Sequence, residues 1–441
     1  MNLFEKGKQI KKKAETTSGG YTKTNLPSIR ALPQAFIIKD VRKKALFTLA
    51  MMALFVIGTF VPLPGINISY IRSVFNEMPV LGVFNLLSGG GLERMSFFAL
   101  GISPYTTASI VLNLLSASFP KIKWLREDDK KTYERVTYIT ACVIGAFQAV
   151  GIMMAFGENA LISTSIWNYL LIFACLMVGC VAIIVLGKLI DKKGIGNGIS
   201  LIIWIGLVIQ LPHFVINTIA TFSANIIFGI ISVLAIVGIT GTIIWMERRE
   251  KRIPVVYAGK NVGGKLYRSD STFIPIKLNT SGVLPIIFAI TLIQMPLVVA
   301  GFWPNSGFYQ WYSAFMGNKT IYQGLLYAVV YAGLLFFLTK FSATIQFNVY
   351  DLSKRLSNNA GFIPGIRPGK PTTEYLNKAL NKVSTKDGIM LVILSVIPIL
   401  LTTFFGINLV YSTTGIMLLV SVTIETMRTV ESEVKLRRLN Y

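Results

Sequence analysis

The side chains best placed to do chemistry in this sequence are cations. The stretch GFIPGIRPGKPT, residues 361–372, surrounds Arg367 and Lys370 with prolines and glycines. A second stretch, MERREKRIPVVYAGK, sets Arg248, Arg249, Lys251 and Arg252 ahead of a β-branched and aromatic run that reads as a strand. The chemistry open to both is anion binding. Pro364 and Pro368 fix φ, and Gly361, Gly365 and Gly369 permit turns, so the first stretch is stiff and holds its cations in water. A stiff exposed loop loses little entropy when a partner docks on it. Covalent or metal chemistry has no comparable foothold. Cys142, Cys175 and Cys180 sit inside apolar runs and read as small buried hydrophobes, and His213, the single histidine, closes an apolar run beside Pro212. GIGNGIS, residues 194–200, lacks the Gly-Lys-Ser/Thr of a phosphate loop and reads as a tight turn with Asn197 capping the helix that follows.

The elements that must carry these loops are apolar. Of the 441 residues, 53% are hydrophobic and only 14% charged, against about a quarter charged in soluble domains. Ten stretches approach the ~20 apolar residues that a membrane helix needs. They cover 45–62, 96–117, 134–157, 165–187, 197–217, 224–246, 282–303, 322–346, 387–407 and 411–428. The net charge of +23 orients them. With both termini in the cytosol, only Arg72, Arg94 and Lys319 of the 43 Lys and Arg face outward, and Lys340 lies near the inner end of a span. The first apolar run begins at Ala45, too late for a cleavable signal peptide. The polar, basic segment 1–30 reads as mostly disordered, or as a short surface helix on anionic lipid.

The interior of these spans is nearly free of ionisable groups. Lys340 and Glu425, both near cytosolic ends, can snorkel. That argues against an ion-coupled solute transporter, which needs charged or clustered polar groups at mid-membrane, and against a membrane enzyme. A scaffold would leave FNLLSGGGLERMSFFALG, residues 84–101, unexplained. This segment is apolar at both ends, broken by three glycines, and reads either as a half-inserted stretch lining a cavity or as an external loop.

At its motifs the sequence resembles the SecY family, the main channel subunit of the bacterial Sec protein translocase. The stretches are IGTFVPLPGIN, FNLLSGGGLERMSFFALGISPYTTASI, GIGNGISLII, RIPVVYAGK, IPIKLNTSGVLPIIFA, GFIPGIRPGKPTTEYL and IETMRTVES, in this order over almost the whole chain. The resemblance implies an all-α polytopic membrane protein. Ten transmembrane helices would form two pseudo-symmetric five-helix halves, 45–217 and 218–428, around a central hourglass pore. Segments 1–44 and 429–441 and the loops 247–280 and 347–388 would be cytosolic.

The resemblance also implies site roles. A ring of Ile102, Thr106, Ile199, Ile203, Ile287 and Leu418 would seal the pore. A plug would comprise Asn85, Leu86, Leu87, Ser88, Gly89, Gly90, Gly91, Leu92, Glu93 and Arg94. A lateral gate between spans two and three and spans seven and eight would release signal sequences into the lipid bilayer, with Asn113 and Gln294 on its edges. Arg248, Arg249, Lys251, Arg252, Arg367 and Lys370 would dock a SecA motor or the ribosome, a polyanion. SecE-like and SecG-like subunits would complete the complex in the bacterial cytoplasmic membrane. No cofactor is implied, and the energy to move a nascent polypeptide would come from the partner. The sequence departs from the family pattern at Thr106, at Asn348-Val349, at Ser412-Thr413-Thr414-Gly415 and in a longer N-terminus. Thr106 would make the seal leakier unless it bonds its own backbone.

Overall fold

The structure is a computed structural model that describes residues 22–23, 37–77, 85, 88–156, 160–163, 165–257, 260–262, 265–267, 272–282, 284–303, 305–317, 320–405 and 410–439. Segment 1–21, Leu86 and Leu87 lie outside these residues. Each of the ten apolar stretches overlaps a helix. These helices are α1 (Lys39–Phe60), α3 (Ser103–Ser118), α5 (Lys130–Phe156), α6 (Ile166–Lys193), α7 (Gly198–Ala224), α8 (Ile226–Glu247), α9 (Leu284–Ala300), α11 (Ile321–Gln346), α13 (Lys370–Phe405) and α14 (Val410–Leu439). Short helices α2 (Ile68–Glu77), α4 (Pro120–Asp128), α10 (Gly307–Met316) and α12 (Val349–Asn358) lie between them. Among the described residues, 7 helices are long and apolar enough to cross a membrane by length and composition, and α9 is a shorter apolar helix.

Two of the stretches start elsewhere than hydropathy alone indicates. Ser96 is bridged to Pro62, residues 97–102 are turns, and α3 begins only at Ser103, after Gly101 at φ +57° and with Pro104 in its first turn. In contrast, α13 begins at Lys370, well before the apolar run. Leu376, Ala379, Leu380 and Val383 are buried at helical spacing, so this polar stretch is an amphipathic helix continuous with the span.

The chain divides into two compact units. One contains Pro27–Thr240, Ile286–Tyr331 and Ser395–Tyr441. Its core joins Ile71, Leu92, Met95, Leu100, Ala149, Ile172 and Leu176. The loop after α1 is pinned to the turn region by Leu63 N donating to Met95 O at 2.8 Å and Phe97 N donating to Val61 O at 3.1 Å. In α10, Ser306 Oγ accepts from Tyr309 N as the N-cap, and Tyr312 Oη donates to Ile293 O of α9 at 2.6 Å.

The other unit contains Gly241–Pro285 and Ala332–Leu394, with strand β1 (Thr22–Lys23). Its centre is strand β2 (Arg249–Tyr257), antiparallel to β5 (Thr272–Lys277) from Glu250↔Lys277 to Val255↔Thr272. Strand β1 pairs with β2 at Thr22↔Glu250, and β6 (Gly361–Phe362) pairs with β2 at Val256↔Phe362. A separate hairpin joins β3 (Lys260–Val262) and β4 (Lys265–Tyr267).

Candidate functional site

The predicted ring side chains are almost all withdrawn from solvent. Ile102, Thr106, Ile203, Ile287 and Leu418 are between 1% and 3% exposed. Ile199 is half-buried, and its Cγ1 lies 3.6 Å from where a Cβ on Gly187 would stand, so it packs on α6. Neighbouring contacts tie the helices that carry these residues in two pairs, α7 with α14 and α3 with α9. Trp204 Nε1, beside Ile203 on α7, donates to Thr423 Oγ1 of α14 at 2.8 Å. Thr106 Oγ1 of α3 stands 3.5 Å from Thr291 Oγ1 of α9, one turn beyond Ile287. Thr106 also donates to Ser103 O at 2.9 Å, and Thr291 to Ile287 O at 2.8 Å. Both hydroxyls thus have acceptors on their own helices, the arrangement that lets a threonine line an apolar surface.

The broken segment 88–100 is a buried run of turns packed in the same unit. Gly89 meets Gly206 of α7 backbone to backbone: a Cβ on either residue would lie 2.9 Å from the other's Cα. Gly89 has φ +66° and Gly90 φ +82°, which a side chain would strain. Asn85 organises the turn. Its Oδ1 accepts from Glu93 N at 3.0 Å, its Nδ2 donates to Glu93 Oε2 at 2.9 Å, and its carbonyl accepts from Gln210 Nε2 of α7 at 2.9 Å. Ser88 Oγ accepts from Leu92 N at 3.0 Å. The Arg94 guanidinium lies over the Phe60 ring, 4.1 Å from its centroid. The stretch therefore rests on α7 one turn beyond Ile203, held by two glycines and two amides.

The two amides expected at the gate do not hydrogen-bond each other. Asn113 bonds Ser109 Oγ at 3.3 Å and accepts from Tyr133 Oη of α5 at 3.1 Å, which ties α3 to α5. Gln294 is 1% exposed, and neither of its polar atoms has a hydrogen-bond partner among the described residues. Contacts between α5 and α9 come from other residues. A Cβ on Gly151 would sit 3.0 Å from Val298 O, and Phe147 meets Phe302, two residues past the end of α9, edge-on with centroids 6.5 Å apart. Such a glycine approach is visible in sequence only as an unremarkable Gly in a span.

In the second unit the two basic stretches meet. Pairing of β6 with β2 places the GFIPGIRPGKPT turn beside the strand that carries Arg249, Lys251 and Arg252. The turn is braced from within: Ile363 is buried, Ile366 N donates to Ile363 O, and Thr372 Oγ1 donates to Arg367 O at 2.9 Å. Gly365 and Gly369, at φ +82° and +98°, supply the bends. Arg367 and Lys370 are exposed. Arg249 stacks over Trp245, and Arg252 over Phe273 while bonded to Glu250 Oε1 at 2.6 Å. Arg248 occupies the turn between α8 and β2. Burial, with Lys382 and Lys386 close by, holds the Lys251 ammonium below its ordinary pKa. No group of three or more His, Cys, Asp or Glu able to hold a metal occurs among the described residues.

Comparison with known proteins matches residues 96–427 to the SecY family model. The Protein translocase subunit SecY of Streptomyces galbus is 31% identical over 433 residues, covering 93% of this chain and 98% of that protein. The protein of the same name from Corynebacterium glutamicum is 31% identical over 432 residues, covering 91% and 97%. A solved protein conducting channel superposes with a TM-score of 0.67 at 15% identity, covering 98% of this chain and 97% of that one. Canine Sec61 in a ribosome-channel complex from the endoplasmic reticulum superposes with a TM-score of 0.63 at 14% identity, with the same coverage.

Proposed function

The chain belongs to the SecY family, and from that premise we propose that it is the protein-conducting channel subunit of a bacterial translocon. It passes unfolded secretory polypeptides across the cytoplasmic membrane and releases apolar segments sideways into the bilayer. The observation that carries this reading is the buried apolar set Ile102, Ile203, Ile287 and Leu418, with the glycine-rich turn seated on α7 beside it. An apolar constriction dewets and blocks ions without a charged gate. It offers no hydrogen bonds to any particular side chain, so polypeptides of varied sequence can slide through it.

In this mechanism all ten helices span the membrane, with both termini cytosolic, and two five-helix halves open around the ring. The segment from Asn85 to Arg94 is the plug. It leaves when its few polar ties, chiefly Gln210 to the Asn85 carbonyl, are exchanged for contacts with an entering chain. The seam of α3 and α5 against α9 parts to admit a signal sequence. Its Thr106–Thr291 contact supports this role, since a polar contact between membrane helices contributes only about 0.6 kcal/mol on average and separates at low cost.

The paired loops around Arg252 and Arg367 dock a SecA-type motor or the ribosome, and the partner supplies the energy. Clustered cations on a preorganised strand and turn suit a polyanionic or acidic surface, and they attract it in a salt-dependent way. Small SecE-like and SecG-like subunits complete the assembly. The test is reconstitution with those subunits, a motor ATPase and ATP in proteoliposomes. Protease-protected preprotein that depends on this chain supports the reading. Solute uptake without preprotein protection overturns it.

A further inference from the structure

The stretch KLNTSG, residues 277–282, joins β5 to α9 and takes no part in docking or sealing, yet hydrogen bonds tie it to β2 and to three helices. Leu278 N donates to Arg249 O at 2.8 Å, which closes the base of the β2–β5 pair. Asn279, 6% exposed, donates through Nδ2 to Glu247 Oε1 at the end of α8, at 2.6 Å. Ser281 is fully buried. Its Oγ donates to Asp387 Oδ2 at 2.6 Å, its backbone N donates to the same oxygen at 3.3 Å, and its carbonyl accepts from Gln346 Nε2 of α11 at 2.8 Å. Gly282, at φ +62°, then turns the chain toward α9. Three helices thus each commit one side chain to this short stretch.

Asp387 is the costly member of this set. Its relative exposure is 0%, and its Oδ1 has no hydrogen-bond partner among the described residues. Burying a carboxyl group with one oxygen unpaired is unfavourable compared with an apolar side chain of similar size. What the carboxyl group gives in return is geometry: one oxygen fixes both the hydroxyl and the amide of Ser281. Buried polar groups of this kind are best attested as devices that specify position. The position specified here lies three residues before Leu284, the first residue of α9, and six before Ile287.

We propose that Asp387 is a positioning residue which, through Ser281, fixes the point where the docking loop re-enters α9, so that displacement of β2 and β5 by a partner reaches the ring-bearing helix instead of being absorbed in slack chain. This inference rests on the channel reading, with the β2–β6 surface as the docking site. The linkage lies at the root of the loop, away from its exposed cations, and therefore acts on the transport step after docking rather than on docking itself.

The test uses the reconstituted complex with two readouts, the Kd of the SecA-type motor and the rate of preprotein protection at saturating motor. Ser281→Ala and Asp387→Leu should each leave the Kd within about twofold while lowering the saturated rate about tenfold, the size expected for leaving one partner of a buried hydrogen bond unsatisfied. The double variant should be no slower than the slower single one, because both remove the same contact. Asp387→Asn, which keeps an acceptor oxygen for Ser281, should recover most of the rate. The proposal is overturned if neither single variant slows transport. It is also overturned if Kd and rate worsen together and Asp387→Asn does no better than Asp387→Leu, which marks a merely structural role. Unmodified complex that protects no preprotein would overturn the channel reading itself.

Discussion

Gly206→Ala separates the stability of α7 from the seating of the glycine-rich turn. Alanine in a helix interior is favoured over glycine by about 1 kcal/mol, so α7 taken alone is stabilised. The new Cβ would nevertheless lie 2.9 Å from Gly89 Cα and 3.3 Å from Gly89 N. Both are backbone atoms, so no rotamer change relieves the contact and the turn must move away. Overpacking of this kind costs about 1–3 kcal/mol. If that cost falls on the seated state of the plug, the seated-to-displaced ratio drops by about 5- to 150-fold. The assay is resting ion conductance of the reconstituted complex in a planar bilayer, without motor or substrate. Gly206→Ala should raise the resting open probability about 30-fold, the middle of that range. Gly241→Ala is the control, since a Cβ there meets nothing within 4 Å, and it should leave conductance unchanged. Unchanged conductance in Gly206→Ala would mean that the turn does not close the resting path, and the plug assignment would fall.

The same contacts set three more outcomes. Ile203→Ser or Ile287→Ser should raise resting ion leak, whereas Ile199→Ser should raise it less, because Ile199 packs on Gly187; equal leak from all three, read by the same conductance assay, would show that Ile199 seals as strongly as the other two. Arg367→Glu should abolish motor-driven export while membrane insertion of the chain, scored by membrane fractionation, is retained; unimpaired export would remove the turn from docking. Ribosome docking on proteoliposomes should weaken steeply as salt rises, and Lys251→Ala should reduce the slope of log affinity against log salt by about 1 if this ammonium meets a phosphate. An identical slope would place Lys251 outside the contact.

The apolar helices are legible in the sequence because a long uninterrupted apolar run has few other uses. The exceptions have local causes. Residues 96–102 are as apolar as a span, but a glycine of positive φ and Pro104 place the helix start at Ser103. The polar first half of α13 escapes a hydropathy reading because its signal is the helical spacing of Leu376, Leu380 and Val383 and not mean hydropathy. The strand in RIPVVY is legible from its β-branched residues, and the stiffness of the GIRPG turn from its prolines and glycines. That the two pair through Tyr257 and Gly361 is not, since nothing local encodes a partner about a hundred residues away. The Thr106 hydroxyl bonds its own helix at Ser103 O, the alternative that keeps a threonine compatible with an apolar ring. The partner of Asn113 is not legible: its side chain accepts from Tyr133 Oη on the next apolar helix, a contact that no local sequence pattern encodes. The KLNTSG network is invisible in the sequence because Asp387 lies about a hundred residues further along the chain and is disguised as an ordinary charge at a span boundary.

The measurement that tests the central claim most directly is site-specific photocrosslinking in native membranes with a stalled secretory nascent chain. The photoreactive residue is placed in turn at Ile203, Ile287 and the outward-facing, 62% exposed Val178. A channel through the ring gives crosslinks at Ile203 and Ile287 that require a functional signal sequence, and none at Val178. Crosslinks absent from both ring positions, or equally strong at Val178, would contradict it: the polypeptide would then pass elsewhere.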